Sequence, residues 1–266
     1  MTSNCSECRI SGIGLVLAMS LLLAGCRPAA EPEPAPETDP EDGSASIDAS
    51  PPTASFRARG NEPFWSLEMD AMALAWRPME GPEQVYSHLV RTPGKGRETV
   101  IASLDGKTIT LDIQQGLCRD SMSGMPYPQA VSVRIDGREL QGCGGEAIEL
   151  LTAHSWAVAM LAGASTSAPA PTLQFTAEGR ASGFAGCNRW MGAAALSGEG
   201  LSFQQTASTM MACTEDTATR QEQAFLAALA RVTRHDFDAN GNLLLKAGDE
   251  TLIVATPMPA EAPAAN

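Results

Sequence analysis

The densest group of reactive side chains in this sequence is the run Cys118-Arg119-Asp120-Ser121, which places a sulfur, a guanidinium, a carboxylate and a hydroxyl within four residues. In a hydrolase, Asp120 and Ser121 could supply a base and a nucleophile. However, the sequence has no G-x-S-x-G elbow, and no base is indicated for Ser121 or Ser123. Asp and Ser beside a bridged cysteine more often cap a loop by hydrogen-bonding its backbone. We therefore predict a loop cap here and no catalytic residues.

A second group of residues with possible chemistry is the junction Leu23-Ala24-Gly25-Cys26. It directly follows an apolar run that begins at Ile10. The junction resembles the lipobox of bacterial lipoproteins, in which a signal peptidase cuts before the cysteine and the cysteine then receives acyl chains. The apolar run of about 15 residues suits a secretory signal and is short for a membrane-spanning helix. The resemblance implies a signal peptide at 1–26 with lipid attachment at Cys26, and the alternative is an uncleaved anchor.

Two further features of the sequence predict the destination of the protein and the nature of the segment after Cys26. Arg27 stands where retention at the inner membrane usually requires Asp, so the resemblance implies the outer membrane, facing the periplasm. Residues 27–54 contain seven acidic residues and almost no large apolar side chain, which predicts a disordered Pro/Ala/Glu tether. The tail at 257–266 has a similar composition, and we predict disorder there too.

The formal net charge of the chain is −13, and roughly half of this net charge lies in the tether, where seven acidic residues face the single basic residue Arg27. Affinity for phosphate requires clustered Lys and Arg, so nucleic acid and anionic headgroups are poor partners. The predicted partners are the membrane, through the lipid anchor, and an unknown protein or envelope component, with the protein itself a monomer.

The cysteines outside the signal and lipidation site form an even set, which in an oxidising compartment indicates disulfides. Three pairings are possible, and sequence proximity favours one bridge in each half, each worth about 3 kcal/mol on the chain-entropy model. A zinc site is the alternative, although no C-x-x-C pair occurs within the set. With three dispersed histidines and no phosphate-binding loop, we predict no metal and no cofactor. The four cysteines are Cys118, Cys143, Cys187 and Cys213.

Two groups of residues are candidates for binding. Phe64 and Trp65 follow a proline in a turn-like setting, where aromatic side chains either form a binding surface or plug the end of a barrel. Asn188, Arg189 and Trp190 follow Cys187, where a rigid bridge could present them to a partner. The structural interpretation is a turn at Asn188 and packing of Trp190 under a sheet. Met210 and Met211 could form a soft contact surface with Ala212, but we predict instead one side chain inward and one outward along a strand.

The elements that must position these residues are mostly strands. Period-two alternation predicts half-buried strands in KTITLDI and AVSVRID. A helix is predicted at about 217–232, with Phe225, Leu229 and Val232 on one face and a capping box at Thr219 and Glu222. The predicted fold is mostly β with one main helix (α+β), as two small antiparallel β-sheet or barrel-like domains behind the tether. Further strands are predicted at 72–77, 84–91, 99–104, 156–161, 172–176, 201–203, 242–246 and 251–254.

The second domain, at 148–256, resembles the META domain family. The resemblance implies a compact β-rich fold with one helix, found in envelope proteins and with no established enzymatic activity. It departs from the family at Met210, where members commonly have Arg. The marks are GRASGFAGCNRWMGAAAL, LSFQQTASTMMAC and EQAFLAAL, with Trp156, Gly186-Cys187-Asn188 and Glu222.

The first domain, at 55–146, resembles an uncharacterised proteobacterial envelope domain, and this resemblance implies no mechanism. Its marks are the stretches 60–65, 118–124 and 140–144.

The main functional hypothesis is a non-enzymatic outer-membrane lipoprotein that serves envelope maintenance or stress tolerance through binding. One alternative is an inhibitor of a cationic host hydrolase such as lysozyme, suggested by the acidic charge and the small disulfide-linked β domains. Another alternative is a cell-wall or lipid hydrolase centred on Asp120 and Ser121.

Overall fold

The structure, a computed structural model, describes residues 55–259. The predicted signal peptide, Cys26 and the tether lie outside the described residues, as does most of the predicted tail. The described chain is mostly β, as the sequence predicts, and forms two antiparallel sheets. It contains two helices where the sequence predicts one. The additional helix, α1 (Ala147–Thr152), has fewer than two turns and therefore shows no helical periodicity in the sequence.

The first sheet is a closed barrel of eight strands, in which each strand pairs with its neighbour along the chain. The barrel closes where β8 returns to β1, with Ala58 opposite Gly144 and Arg59 opposite Cys143. Closure removes the unpaired strand edges that an open sheet would expose. The strands are β1 (Phe56–Asn61), β2 (Phe64–Met69), β3 (Leu74–Pro78), β4 (Gln84–Gly94), β5 (Arg97–Leu104), β6 (Lys107–Arg119), β7 (Pro126–Ile135) and β8 (Arg138–Gly144).

The barrel interior is filled by large apolar side chains. In β6 the residues Ile109, Leu111 and Ile113 are buried, as the alternation predicts, and the apolar positions of β7 are buried in the same way. An eight-stranded barrel is just wide enough for side chains to fill it. The middle of the barrel is therefore packed with apolar side chains.

Two glycines make room for the indole of Trp65 inside the barrel. A Cβ at Gly60 would collide with Trp65 Nε1 and with the carbonyl oxygen of Gln141. A Cβ at Gly142 would collide with the carbonyl oxygen of Arg59 and with the Trp65 ring. Because the obstructing groups include backbone atoms of paired strands, they cannot move aside without disturbing the ladder. This close packing explains why glycine stands in the stretches 60–65 and 140–144.

The second sheet has nine strands in the order β14-β13-β12-β11-β9-β17-β16-β15, with β10 paired to β9 outside this path. Its two outer strands approach each other, because Leu201 N donates to Thr233 O at 3.1 Å just before β15 begins. The sheet is therefore barrel-like. Its strands are β9 (Trp156–Leu161), β10 (Ala164–Ser165), β11 (Thr172–Phe175), β12 (Arg180–Phe184), β13 (Arg189–Ser197), β14 (Gly200–Ser208), β15 (Arg234–Phe237), β16 (Leu243–Ala247) and β17 (Glu250–Pro257).

Helix α2 (Asp216–Arg231) covers one face of this sheet. Phe225 and Leu229 are buried together with Val232, the residue that follows the helix, so the predicted apolar face is confirmed. Phe225 meets Trp190 edge to face, with ring centroids 5.7 Å apart. The predicted capping box is wrong: the helix begins a turn earlier, so the Thr219 hydroxyl bonds to the carbonyl oxygen of Glu215.

Two disulfides each join residues of one domain that are about 25 residues apart in the sequence. Cys118–Cys143 joins β6 to β8, and Cys187–Cys213 joins the turn before β13 to the segment between β14 and α2. This is the pairing that sequence proximity favours. The Cα–Cα distances of 5.6 and 5.9 Å lie in the ordinary range for disulfides.

The barrel and the second sheet belong to one compact unit. Arg119, at the end of β6, donates to Asp236 Oδ1 at 3.0 Å and to Phe237 O at 2.8 Å on β15. Beside these bonds lies a buried cluster in which Leu196 of the second sheet packs against barrel residues that include Met125 and Tyr127. The two domains therefore share a packed junction. Among the described residues, neither helix has the length and apolar character needed to cross a membrane.

Candidate functional site

A concave feature of the barrel lies at the end formed by the β1–β2, β3–β4 and β7–β8 connections. We call this feature the barrel mouth, and it encloses a cavity of about 500 Å³. This volume lies within the usual range for small-molecule sites. Most of the lining is apolar, with four polar residues. The lining residues are Pro63, Phe64, Trp65, Trp76, Pro78, Met79, Glu80, Gln84, Ile135, Asp136, Arg138 and Leu140.

Two tryptophans form the floor of the barrel mouth. The rings of Trp65 and Trp76 stack with centroids 5.3 Å apart and planes 27° from parallel. Both side chains are buried, and Trp65 Nε1 has no hydrogen-bond partner among the described residues. Phe64, by contrast, is half exposed at the rim. The two predicted aromatic residues therefore have different roles. Trp65 packs in the core, and Phe64 is exposed and available for contact.

The rim of the barrel mouth carries charges of both signs. Arg138, Asp136 and Glu80 form no ion pair or side-chain hydrogen bond with a described residue. At the edge of the cavity, the Tyr86 hydroxyl donates to Gln84 Oε1 at 2.8 Å. Burial raises the pKa of Tyr86, and the nearby Asp136 carboxylate acts in the same direction, so the phenol stays protonated at neutral pH. Such a rim suits a small amphiphilic ligand with an apolar face and a polar or charged group.

The Asp120 carboxylate accepts hydrogen bonds from its own loop and from Asn61 at the end of β1. Its Oδ1 accepts from the backbone N–H groups of Met122 and Ser123 and from the Ser123 hydroxyl, and its Oδ2 accepts from Asn61 at 2.8 Å. Although partial burial opposes the shift, these hydrogen bonds lower the pKa of Asp120. The residue therefore acts as a loop cap that also anchors the end of β1.

A smaller cavity of about 90 Å³ lies at the junction of the two domains, where Ser123 and His235 both contribute to its lining. The two side chains form no Ser–His pair, since the Ser123 hydroxyl donates to Asp120 and neither nitrogen of His235 has a hydrogen-bond partner among the described residues. Burial lowers the pKa of His235 from 6.5 to about 4; Arg234 acts in the same direction and Asp236 opposes it. The imidazole is therefore neutral at pH 7.

Asn188 is itself buried and is the centre of a partly buried hydrogen-bond network. Its backbone N–H and side-chain amide donate to the Glu222 carboxylate at 2.8 to 3.2 Å, and the amide also donates to Met211 O. Its Oδ1 accepts from the Thr209 hydroxyl at 2.8 Å and from Met211 N at 2.9 Å. Asn188 thereby joins the start of β13, the segment after β14 and helix α2.

Burial removes from the surface two of the three predicted binding residues that follow Cys187. Asn188 and Trp190 are both buried, and Trp190 Nε1 donates to Thr172 O, so Arg189 is the exposed member of that group. The predicted alternation of Met210 and Met211 is wrong, because the chain leaves β14 at Ser208 and both side chains are exposed.

One group among the described residues has spacing that could hold a metal ion. Cys187 Sγ, Cys213 Sγ and a Glu222 carboxylate oxygen lie within 4.8 Å of one another. The two sulfurs are joined in a disulfide, and the carboxylate accepts from Asn188. All three groups therefore have structural roles in the oxidised protein.

The second sheet lies in a region that matches a known protein family. The model of the META domain matches residues 149–258. This part of the chain is a META domain. The match confirms the resemblance drawn from the sequence at 148–256, and the network around Asn188 lies entirely within the META domain. The resemblance of the first domain to an envelope domain stays a prediction.

Other comparisons add little to this assignment. No curated protein matches the chain. An NMR structure of a protein from Burkholderia xenovorans shares 30% sequence identity, over 43% of this chain and 88% of that one, with a TM-score of 0.34.

Sequence reasoning did not find most of the barrel mouth. Trp76, Asp136 and Arg138 come from strands or turns that are up to about 60 residues apart, and no local motif connects them. The available signals were the aromatic Phe64-Trp65 pair after a proline and the Asp136-Gly137 turn.

Proposed function

We propose that this protein is an exported, lipid-anchored binding protein without catalytic activity, and that the barrel mouth holds its ligand. In this proposal Cys26 carries the acyl chains, the protein is attached to the outer membrane facing the periplasm, and binding serves envelope maintenance or stress tolerance. The observation that carries the binding role is the cavity of about 500 Å³, with an apolar floor and a rim of both charges that form no ion pair with a described residue.

The use of the candidate catalytic groups supports binding over catalysis. The Asp120 carboxylate caps its own loop, and Ser123 donates to that carboxylate. The Asp120 carboxylate already accepts four hydrogen bonds, which hold its loop in place and reduce its availability as a general base. The META domain family, moreover, is not a known enzyme family.

The binding role is tested with 1-anilinonaphthalene-8-sulfonate, whose naphthalene suits the apolar floor and whose sulfonate suits Arg138. We expect saturable binding of one molecule, and we expect Phe64→Ala and Arg138→Gln each to raise the Kd about fivefold, or about 1 kcal/mol. Fluorescence titration measures both effects. Val90→Ala, a matched control for an exposed apolar side chain outside the cavity, should bind as wild type does. Equal affinity in all four proteins would contradict a site at the barrel mouth.

Export is tested separately in a bacterial host with two membranes. We expect labelled palmitate to be incorporated into the wild-type chain, and we expect Cys26→Ser to abolish the label and release the protein from the membrane fraction. Cys8→Ser is the matched control, because that cysteine lies within the proposed signal peptide and should leave the label unchanged. Incorporation of label into the Cys26→Ser chain would show that Cys26 is not the site of acylation.

A further inference from the structure

Methionine dominates the exposed large hydrophobic side chains of this protein. Among the described residues there are thirteen such side chains, and eight of them are methionines. Methionine is ordinarily among the most buried residue types, so this distribution is unusual. Two of the eight lie on strands, and six lie outside them: Met72, Met79, Met122, Met210, Met211 and Met258.

These methionines are dispersed and do not form one patch. Met72 follows β2 and Met79 follows β3, which places them at opposite ends of the barrel, and Met210 lies in the META domain. A docking surface requires contiguous apolar area, whereas a chemical role of single side chains does not. The feature that the exposed methionines share is an accessible thioether sulfur.

We propose that the exposed methionines consume two-electron oxidants of the hypohalous-acid class and so protect the fold that carries them. The thioether sulfur attacks the chlorine of HOCl, water then supplies the oxygen, and chloride and a proton leave. The net reaction is R₂S + HOCl → R₂SO + H⁺ + Cl⁻, in which sulfur loses the two electrons that chlorine gains. A thiol-dependent sulfoxide reductase returns each site to the thioether, with two thiols oxidised to a disulfide and water released.

The fold tolerates a sulfoxide at the exposed positions. The side chain of Met210 is 97% exposed, so an added oxygen would be hydrated there. At Met211 the bonds to Asn188 use the backbone N–H and carbonyl groups, so they do not depend on the side chain. The same oxygen on a core methionine would place a polar group without a partner among apolar side chains.

The chain contains two internal controls, each a pair of methionines three residues apart. Met69 is 1% exposed and Met72 is 79% exposed; Met125 is 6% exposed and Met122 is 73% exposed. Met69 lies in the barrel core and Met125 in the junction cluster. The two members of each pair lie close together in the chain and differ strongly in exposure, so a difference in their reactivity reports burial.

The chemistry is tested by adding HOCl in steps to the full chain after blocking its free thiols with N-ethylmaleimide. We expect Met72 and Met122 to be oxidised at least about tenfold faster than Met69 and Met125, as measured site by site by mass spectrometry. The Tm should fall by less than about 3 °C until the exposed sites are consumed. Similar rates for Met122 and Met125, or unfolding while only exposed sites are oxidised, would overturn the proposal.

A six-site variant tests whether the capacity resides in these side chains. Replacing the six methionines outside the strands with Leu conserves volume and leaves two of the eight exposed sites. We expect the amount of HOCl needed before Met125 reacts to fall about fourfold, in proportion to the remaining exposed sites. Cells carrying the variant should lose more of the protein in folded form after HOCl treatment than wild-type cells do. An unchanged threshold, or equal loss in cells, would remove the protective role. Met79 also lines the barrel mouth, but the readouts are oxidation and folding, which require neither ligand binding there nor acylation of Cys26, so the two proposals can fail separately.

Discussion

The substitution Asn188→Asp is expected to lower the free energy of unfolding by about 3 to 4 kcal/mol. The change keeps the shape of the side chain but removes the amide donors to Glu222 and Met211 O. It also places a second carboxylate about 3 Å from Glu222, where the two like charges repel in a partly buried setting. Urea unfolding at pH 7 measures the loss, and a melting temperature about 10 °C lower is expected in parallel.

A matched pair of variants separates this network from general destabilisation. Glu222→Gln alone should cost about 1 kcal/mol, because it retains a side-chain oxygen that can accept from Asn188. The double variant Asn188→Asp with Glu222→Gln restores a donor facing an acceptor, so it should recover at least half of the lost stability. A double variant as unstable as Asn188→Asp would show that the pair is not coupled, and the assigned network would then be incorrect.

Acid is expected to destabilise the fold through His235. The pKa of this residue is about 4 in the folded protein because of burial, against 6.5 for the unfolded chain. The unfolded state therefore binds the extra proton as pH falls, and the contribution to stability is fully present above pH 6.5 and is lost between pH 6.5 and 4. The full shift corresponds to about 3 kcal/mol.

The His235 effect is measured as a difference, because carboxylates titrate in the same range. We expect His235→Leu to flatten the dependence on pH, so that the difference in free energy between wild type and variant changes by about 2.5 kcal/mol from pH 7 to pH 4.5. His88→Asn is the control, since His88 is exposed and its φ of 53° is tolerated by Asn. Parallel profiles for wild type and His235→Leu would show that His235 is not the group responsible.

A local sequence pattern predicts those strands and helices that bury one face. Strands β6, β7 and β9 and helix α2 were predicted because each buries one face and therefore repeats its apolar residues at the period of its backbone. Strands β1 and β8 were not predicted, because glycines occupy the positions that pack against Trp65 and weaken the apolar alternation. Strands β12 and β13 contain many small residues, which give a similarly weak signal.

The candidate sites likewise include one that local sequence predicts and two that it does not. The loop cap at Asp120 was predicted because Asp and Ser bond to backbone groups two or three residues away. The burial of Asn188 was not predicted, because its partners lie 21 to 34 residues further along the chain. The same limit applies to the barrel mouth, which is assembled from three connections.

The sequence by itself determined the mostly-β class, the META domain and the apolar face of α2, because each depends on residue type at short spacing. It left three cysteine pairings open and favoured one of them by proximity. Only the tertiary structure decided that the barrel closes, that Phe64 lies on the rim while Trp65 lies in the core, that Asn188 is buried, and that most methionines are exposed. These properties depend on which strands become neighbours. Strand neighbours are set by the packing of the whole chain, since burial of any one side chain requires atoms contributed from distant positions.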